Sequence, residues 1–293
     1  MLTIFSICRE SLGYREKNAF ESWRNLGEDV EIIIFGDAKG LSEFCKARRI
    51  IHIKEVKRNE FGTPLVNDFF LKAQELAKNN FVCFVNADII LFKDFLEAFK
   101  KISSKFEKFM MIGRRTNLDV KYPINFGDLS WEKKLKIRAL QEGDLYPPAG
   151  VDYFVFPKKT IIKIPPFAVG RTKYDNWLIF YARSIGLPVV DTTPSVIAIH
   201  QNHEYPTRLG GQSGIWEGPE AKQNLSLAGG WDHIFDTRDA TYILTLKGIS
   251  FHMDLEHLSR RIETLHVFYP SFKVISKTYS KIRKKIIRLL NKE

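Results

Sequence analysis

Cysteine is scarce in this sequence, and two common nucleotide-binding motifs are missing. The 293 residues include three cysteines, Cys8, Cys45 and Cys83, which stand far apart in apolar stretches and form no Cys-x-x-Cys pair. This pattern argues against a zinc site and predicts three reduced core thiols, as expected in a reducing cytosol. No Gly-x-Gly-x-x-Gly and no Gly-Lys pair occurs, so the usual dinucleotide fingerprint and the Walker A loop are excluded.

Long hydrophobic runs are also absent. The most apolar stretch, Phe81 to Phe92, is too short to span a bilayer and contains Asn86 and Asp88. The first ten residues lack the basic region of a signal peptide. From these features we expect a cytoplasmic protein.

The positive charge is concentrated near the end of the sequence. Of the net charge of +11, residues 271–293 carry +7. Ile275, Tyr279, Ile282, Ile286 and Leu289 recur there at helical spacing among lysines and arginines. The pattern predicts a basic amphipathic helix over 266–293, suited to an anionic membrane surface. The plainer alternative is a surface helix docked on the body.

The first 110 residues alternate strand-like and helix-like segments. Val30–Phe35 and Phe81–Val85 are typical of buried strands, and 65–78 and 94–102 have the spacing of amphipathic helices. This order predicts an α/β protein, with a Rossmann-type, mostly parallel sheet covered by helices on both faces. We expect one domain over 1–265, with a nucleotide-binding half at 1–112 and an acceptor-binding and catalytic half at 113–265. Ligands of such sheets bind beyond the carboxyl ends of the strands.

The segment after the strand Phe81–Val85 is the most informative. It continues as Asn86-Ala87-Asp88, and in an extended segment residues 86 and 88 point the same way. Two oxygens at one site suit Mg²⁺ or Mn²⁺, which share their coordination with ligand phosphates. The alternative is that Asp88 only caps a turn.

Here the sequence resembles glycosyltransferases of the GT-A type, which transfer sugars from nucleotide-diphospho-sugars. Asn86-Ala87-Asp88 is similar to the family's Asp-x-Asp motif, with Asn86 in place of the first Asp. The segment from Lys57 to Pro64 contains Asn59-x-x-Gly62, which is similar to a stretch near the family's nucleotide. The resemblance covers about residues 1–205 and implies a divalent metal, Mn²⁺ or Mg²⁺, held by Asp88.

The resemblance also implies a nucleotide site, with a UDP-sugar as the favoured donor. Asp37 would bind the base or ribose, while Arg58 and the amides of Gly62 and Thr63 would meet the diphosphate near a helix start. For Arg58 the alternative is an ordinary solvated surface charge.

Two histidines follow the β-branched run 196–199. His200 and His203 stand three residues apart and can reach one metal or phosphate if the loop curls. In the resembled family a late histidine often completes the metal shell or touches the diphosphate. One of the two would take that role, and the sequence does not decide which.

Asp175 lies at the start of a predicted apolar helix, and two roles are considered for it. It could cap the helix, or it could serve as the general base that inverting GT-A enzymes carry at an equivalent helix start. Trp177 would form a wall for the sugar or pack in the core. Gly150 would allow a ligand to approach closely, and Asp152 would bind sugar hydroxyls or lie on the outer face of a strand.

The resemblance implies metal-assisted transfer of a sugar to an acceptor hydroxyl, and we expect the reaction to be inverting. The expected acceptor is a glycan or a lipid-linked molecule, with a place in cell-surface polysaccharide synthesis. The basic helix would hold the enzyme on the cytoplasmic membrane face, and no nucleic acid is expected as a partner. One rival is a non-enzymatic nucleic-acid-binding protein, which predicts basic residues across the body. The other is a sugar-nucleotide nucleotidyltransferase. Enzymes of that class carry an N-terminal signature that is absent from residues 4–17 of this sequence.

Overall fold

The computed structural model describes residues 2–9, 11–204 and 211–290. Its strands are β1 (Leu2–Ile7), β2 (Val30–Phe35), β3 (Ile51–Ile53), β4 (Phe81–Val85), β5 (Ile89–Ile90), β6 (Met110–Leu118), β7 (Asp144–Leu145), β8 (Val151–Pro157), β9 (Val189–Asp191), β10 (Ala198–Gln201), β11 (Tyr242–Thr245) and β12 (Gly248–Phe251). Its α-helices are α1 (Tyr14–Arg24), α2 (Leu41–Arg48), α3 (Val66–Leu76), α4 (Lys93–Ser103), α5 (Trp131–Glu142), α6 (Tyr174–Ser184), α7 (Gly211–Glu217), α8 (Pro219–Leu227), α9 (Leu255–Phe268) and α10 (Lys273–Leu290).

The described strands form one sheet, whose main path runs β12-β11-β9-β6-β8-β4-β1-β2-β3. Strands β1 to β4 are parallel to one another, and so are β6, β9 and β11. Strand β8 runs antiparallel between β4 and β6. The predicted α/β class with a mostly parallel sheet is confirmed, and the reversed strand β8 is a feature that the residue pattern did not reveal.

Helices cover both faces of the sheet, as predicted. All six residues of β1 are buried, as expected for a strand with helices on both sides. On one face, Trp23 of α1 and Phe95 of α4 join the core; on the other face, Phe69 of α3 and Leu178 of α6 do so. The three cysteines are buried and unpaired, in agreement with the prediction of core thiols.

The basic segment forms helix α10, which packs along α9. The hydroxyl of Tyr279 donates a hydrogen bond to Ser259 at 3.0 Å, and Arg283 pairs with Glu263 at 3.2 Å. The expected boundary between residues 265 and 266 falls inside α9, so it does not separate the two helices. Among the described residues, no helix combines the length and apolar character needed to cross a membrane.

Candidate active site

A cavity of about 450 Å³ opens at the edge of the sheet where β1 and β4 end. Its walls come from the residues that follow these two strands, the starts of β8, α1 and α6, and the end of β10. Seven residues predicted for the site line it: Asn86, Asp88, Gly150, Asp152, Asp175, His200 and His203. The position agrees with the general rule for ligand sites in such sheets.

Asp88, His200 and His203 form the cluster best suited to a metal. One ligand atom of each lies within 4.8 Å of those of the other two. The Nε2 atoms of His200 and His203 lie 3.3 and 3.2 Å from Asp88 Oδ2. The sheet brings them together, because β10 pairs antiparallel with β5 and places His200 opposite Ile89, next to Asp88. Both histidines therefore reach the predicted site.

The electrostatics keep this carboxylate ionised. Burial alone would raise the pKa of Asp88, but the neighbouring imidazoles outweigh it and hold that pKa well below its usual range. The same contact raises the pKa of His203, against the effect of its own burial. Asp88 Oδ1 and His200 Nδ1 are buried without a hydrogen-bond partner among the described residues. Such atoms are costly unless a ligand satisfies them.

The segment from Asn86 to Asp88 is a turn, and not the extended segment predicted. The N–H of Ile89 donates to the carbonyl of Asn86 at 3.1 Å, which closes the turn. Asn86 does not join the metal cluster: its amide donates to Asp152, and its oxygen lies 3.5 Å from the hydroxyl of Tyr174. Asn86 therefore positions Asp152. An Asp at position 86, as in the usual motif, could not donate this hydrogen bond when ionised.

Asp152 is buried and held by Arg115. The guanidinium Nη1 of Arg115 lies 3.1 Å from Asp152 Oδ2, and the same group stacks over the ring of Tyr146 at 4.1 Å. A Cβ at position 150 would lie 2.1 Å from that ring. Gly150 thus makes room for Tyr146; since it also lines the cavity, close approach of a ligand at this position stays a prediction. Asp152 faces the cavity and not the outside of the strand.

We expect Arg115→Ala to destabilise the protein by about 3 kcal/mol, because it leaves the buried carboxylate of Asp152 without its cation. The double variant Arg115→Met/Asp152→Asn should recover much of that loss. Denaturant unfolding of the two variants and the wild type measures both effects. Equal stability of Arg115→Ala and the wild type would contradict the pairing.

Asp175 lies within the first turn of α6, one residue after its start, and so it is not the N-cap. The capping position is Lys173, with φ of 92°, while Asp175 Oδ1 accepts the N–H of Asn176 at 2.9 Å. Burial, together with the nearby charge of Asp152, raises the pKa of Asp175 to about 6. The side chain is partly buried at the cavity wall.

Several basic residues of the cavity were missed by sequence reasoning. They are Arg9, Arg15, Arg115, Arg171 and Lys173. Arg9 fills the space beside Gly170, where a Cβ would come within 1.8 Å of its guanidinium, and Arg171 pairs with the buried Glu220 at 2.6 Å. Arg9 and Arg15 follow the carboxyl end of the first strand, where ligands of such sheets bind, so this rule could have identified them from the sequence. Arg115 lies within β6.

The other residues predicted to bind the nucleotide lie outside the cavity wall and contact one another. Arg58 pairs with Asp37 at 2.8 Å and donates to the carbonyl of Gly62. The Oδ1 atom of Asn59 accepts the N–H of Thr63, and its amide donates to Glu220. Their contacts shape the loop before α3, and a role in nucleotide binding stays a prediction.

Trp177 packs in the core instead of forming a sugar-binding wall. Its side chain is 6% exposed and contacts the rings of Phe167 and Tyr181, with centroid distances of 5.2 and 5.0 Å. It does not line the cavity, because its position in α6 turns it toward the sheet.

Comparison with known proteins finds similar solved structures, whereas no family model and no curated protein matches. Glucosyl-3-phosphoglycerate synthase from Mycobacterium tuberculosis, in complex with Mg²⁺ and UDP, is 12% identical; the match covers 78% of this chain and 80% of that chain, with a TM-score of 0.47. Its complex with phosphoglyceric acid is 13% identical, with the same coverage and a TM-score of 0.49. TarS 1–349 from S. aureus is 14% identical over 91% of this chain and 79% of that chain, with a TM-score of 0.46. These are nucleotide-sugar glycosyltransferases of the GT-A type, the class that the sequence resembles.

Proposed function

We propose that this protein transfers a sugar from a nucleotide-diphospho-sugar to an acceptor hydroxyl, with a divalent metal as cofactor. The observation that carries the proposal is the cluster of Asp88, His200 and His203 at the edge of the sheet, open to a 450 Å³ cavity. Arginines line the same cavity, and so do the carboxylates of Asp152 and Asp175. A metal site beside cationic groups suits a diphosphate, and the carboxylates suit hydroxyl groups.

The residues present fit a divalent metal. One carboxylate and two imidazoles are a donor set that Mn²⁺ and related metals accept, and the unpartnered Oδ1 of Asp88 supplies a further acceptor. When bound, the metal would act as a Lewis acid that neutralises negative charge on the leaving diphosphate.

The cationic side chains at the cavity would bind the diphosphate of the donor. Arg9, Arg15 and Lys173 lie at its wall, and Arg guanidinium groups match phosphate oxygens in a two-point geometry. The loop with Asp37 adjoins this wall, because Gly36 packs directly against the carbonyl of Cys8. Asp37, Arg58, Gly62 and Thr63 would contact the base, the ribose or the outer phosphate. We favour UDP as the nucleotide, which is bound in a structure of the mycobacterial synthase.

Asp175 would act as the general base on the acceptor. Its carboxylate takes the proton of the acceptor hydroxyl while that oxygen forms a bond to the anomeric carbon, and the bond from that carbon to the diphosphate breaks. A base of this kind on the acceptor side implies inversion. Asp152, fixed by Arg115 and Asn86, would hold hydroxyl groups of the sugar.

Turnover of sugar nucleotides tests the proposal. The full chain is incubated with UDP-, GDP- and dTDP-sugars, with Mn²⁺ or with a chelator, and release of the nucleoside diphosphate is measured. We expect release from UDP-sugars that requires the metal. The absence of metal-dependent release and of metal-dependent nucleotide binding across the whole set would contradict the function.

We further propose that α10 binds an anionic membrane surface, where a lipid-linked or cell-surface glycan acceptor would be presented. Ile275, Ile282 and Ile286 lie on one exposed stripe of α10, although the helix packs on α9 through Tyr279 and Arg283. Lysines flank this stripe, including Lys281, Lys284 and Lys285, all exposed. An apolar stripe beside a basic face is suited to the headgroup region of anionic lipids.

The charge of α10 gives a direct prediction. We expect Lys284→Glu/Lys285→Glu to weaken binding to phosphatidylserine-containing vesicles by at least about 30-fold, since each lysine near such a surface contributes about 1 kcal/mol. The control Lys100→Glu/Lys101→Glu makes the same charge change at two exposed lysines of α4 and should bind nearly as the wild type does. Vesicle sedimentation measures both. Equal losses of vesicle affinity in the two variants would show that net charge alone causes the effect, and would contradict binding through α10.

A further inference from the structure

A second group of metal-ligand side chains lies outside the cavity, where β12 leads into α9. The sequence there reads His252-Met253-Asp254-Leu255-Glu256-His257. One ligand atom from each of His252, Asp254 and His257 lies within 4.8 Å of those of the other two. None of the three lines the cavity of the proposed active site.

The three side chains converge on the two oxygens of one carboxylate. His252 Nε2 lies 3.1 Å from Asp254 Oδ2, and His257 Nδ1 lies 2.8 Å from Asp254 Oδ1. The ligands of a tetrahedral Zn²⁺, at bond lengths of about 2.1 Å, are separated by roughly 3 to 3.5 Å. The observed distances are those of hydrogen bonds, and they differ so little from these separations that a small side-chain movement would form the shell.

Backbone contacts fix these residues in place. The N–H of His252 donates to the carbonyl of Thr241 at 3.1 Å, which continues the pairing of β12 with β11. Asp254 is the N-cap of α9, and its Oδ1 accepts the N–H of His257 at 3.0 Å. A metal would thus find its ligands already ordered, and little conformational entropy would be lost on binding.

The two imidazoles lie side by side in a buried position. They are 6% and 7% exposed, and their ring centroids are 3.1 Å apart. Imidazole and carboxylate are common metal ligands, so the three side chains together supply a donor set for one ion.

Hydrogen bonds within the described residues leave this group incomplete. Each imidazole directs one nitrogen to Asp254, and an ion bound there would replace these two hydrogen bonds by coordination. The opposite nitrogens, His252 Nδ1 and His257 Nε2, are buried with no hydrogen-bond partner among the described residues, so no competing side-chain contact holds either ring in another orientation. Asp254 itself is 56% exposed, so water can approach its side of the cluster.

We propose that His252, Asp254 and His257 bind a Zn²⁺ ion that joins β12 to the start of α9. Two imidazoles and a carboxylate, with water in the fourth position, form a typical zinc donor set, and harder ions such as Mg²⁺ prefer oxygen ligands. The site needs no cysteine, so the absence of a Cys-x-x-Cys pair, which argued against a zinc site in the sequence, does not exclude it. Since α9 is the surface on which α10 packs, the ion would also stabilise the support of the basic helix.

Zinc binding is tested in the full chain, prepared without a polyhistidine tag. The Asp88→Asn background weakens the first cluster, and competition with a chromophoric chelator then measures Zn²⁺ affinity. We expect one tight equivalent in Asp88→Asn, weakened at least about tenfold when His252→Gln or Asp254→Asn is added, since each removes one ligand. Zn²⁺ should also raise the melting temperature of the Asp88→Asn protein, because it binds the native state.

Two variants distinguish a zinc site from a hydrogen-bonded cap. Asn caps helices as well as Asp does, so Asp254→Asn should keep its melting temperature in chelator and still lose zinc affinity. The control His266→Gln removes the other histidine of α9 that contacts an aspartate, with His266 Nε2 3.1 Å from Asp232, and should not change zinc affinity. The proposal is overturned if Asp88→Asn binds no zinc, or if its affinity is the same after replacement of His252 and Asp254.

Discussion

Asp88→Asn is expected to lower metal-dependent turnover of the sugar nucleotide by at least about 10²-fold, because a single preorganised charge at a reacting diphosphate is commonly worth that much. Asn keeps the size of the side chain and removes its charge. The two histidines then lack the carboxylate that now lies 3.2 and 3.3 Å from them. Turnover and Mn²⁺ affinity should fall together, which steady-state kinetics across Mn²⁺ concentrations measures.

A matched control makes this result specific. Asp128→Asn changes the same charge at a surface carboxylate that contacts Lys134 at 2.6 Å, outside the cavity wall. We expect that control to retain nearly all activity. If Asp88→Asn keeps turnover within about threefold of the wild type at every Mn²⁺ concentration, the assignment of the metal cluster is wrong.

Asp175→Asn is expected to lower transfer by about 10³-fold while the affinity for the nucleotide stays within about twofold, since a general base contributes 10²- to 10⁴-fold and acts on the acceptor. The pH dependence follows from the pKa of about 6. Only the ionised carboxylate accepts a proton, so wild-type activity should rise as the pH increases through about 6 and level off above it. The residual activity of the variant should not show this rise.

The same substitution should stabilise the protein. Because burial raises the pKa of Asp175 from 3.8 to about 6, its contribution to stability is fully present below about pH 4 and is lost as the pH rises through about 6. Asn resembles the protonated form and avoids that loss. At pH 7.5 we expect Asp175→Asn to be more stable by roughly 2 kcal/mol, and at pH 4 the two proteins should unfold alike.

These two outcomes together separate a base from a residue that only supports the helix. A carboxylate that merely stabilised the start of α6 through its negative charge would cost stability when Asn removes that charge. If Asp175→Asn is less stable than the wild type at pH 7.5 and transfers sugar at a comparable rate, the residue is structural, and the base lies elsewhere or the reaction is retaining.

The elements with strong local patterns were predictable from sequence. β2 and β4 have the bounds that their β-branched and apolar runs indicate, and α4 buries Phe95 and Phe99 at the expected spacing. The antiparallel direction of β8 was not predictable. A strand buried on both faces is a continuous apolar run, and such a run does not indicate whether the strand is parallel or antiparallel to its neighbours.

For the site, the sequence located the metal cluster but not its cationic wall. Asp88 and the two histidines stand out because polar side chains follow apolar strands. Arg9 and Arg15 look like ordinary surface charges until the sheet places them beside the end of β4. Likewise, the change of Asn86 from ligand to positioning residue depends on Asp152, which is 66 positions away in the sequence.

Calorimetric binding of UDP at increasing Mn²⁺ concentration tests the central claim most directly. If the Asp88 cluster holds a metal that also contacts the diphosphate, each ligand must increase the affinity of the other by the same factor. We predict a coupling of about tenfold or more in the wild type and none in Asp88→Asn. A UDP affinity that is independent of Mn²⁺, or a coupling that persists in Asp88→Asn, would contradict the account.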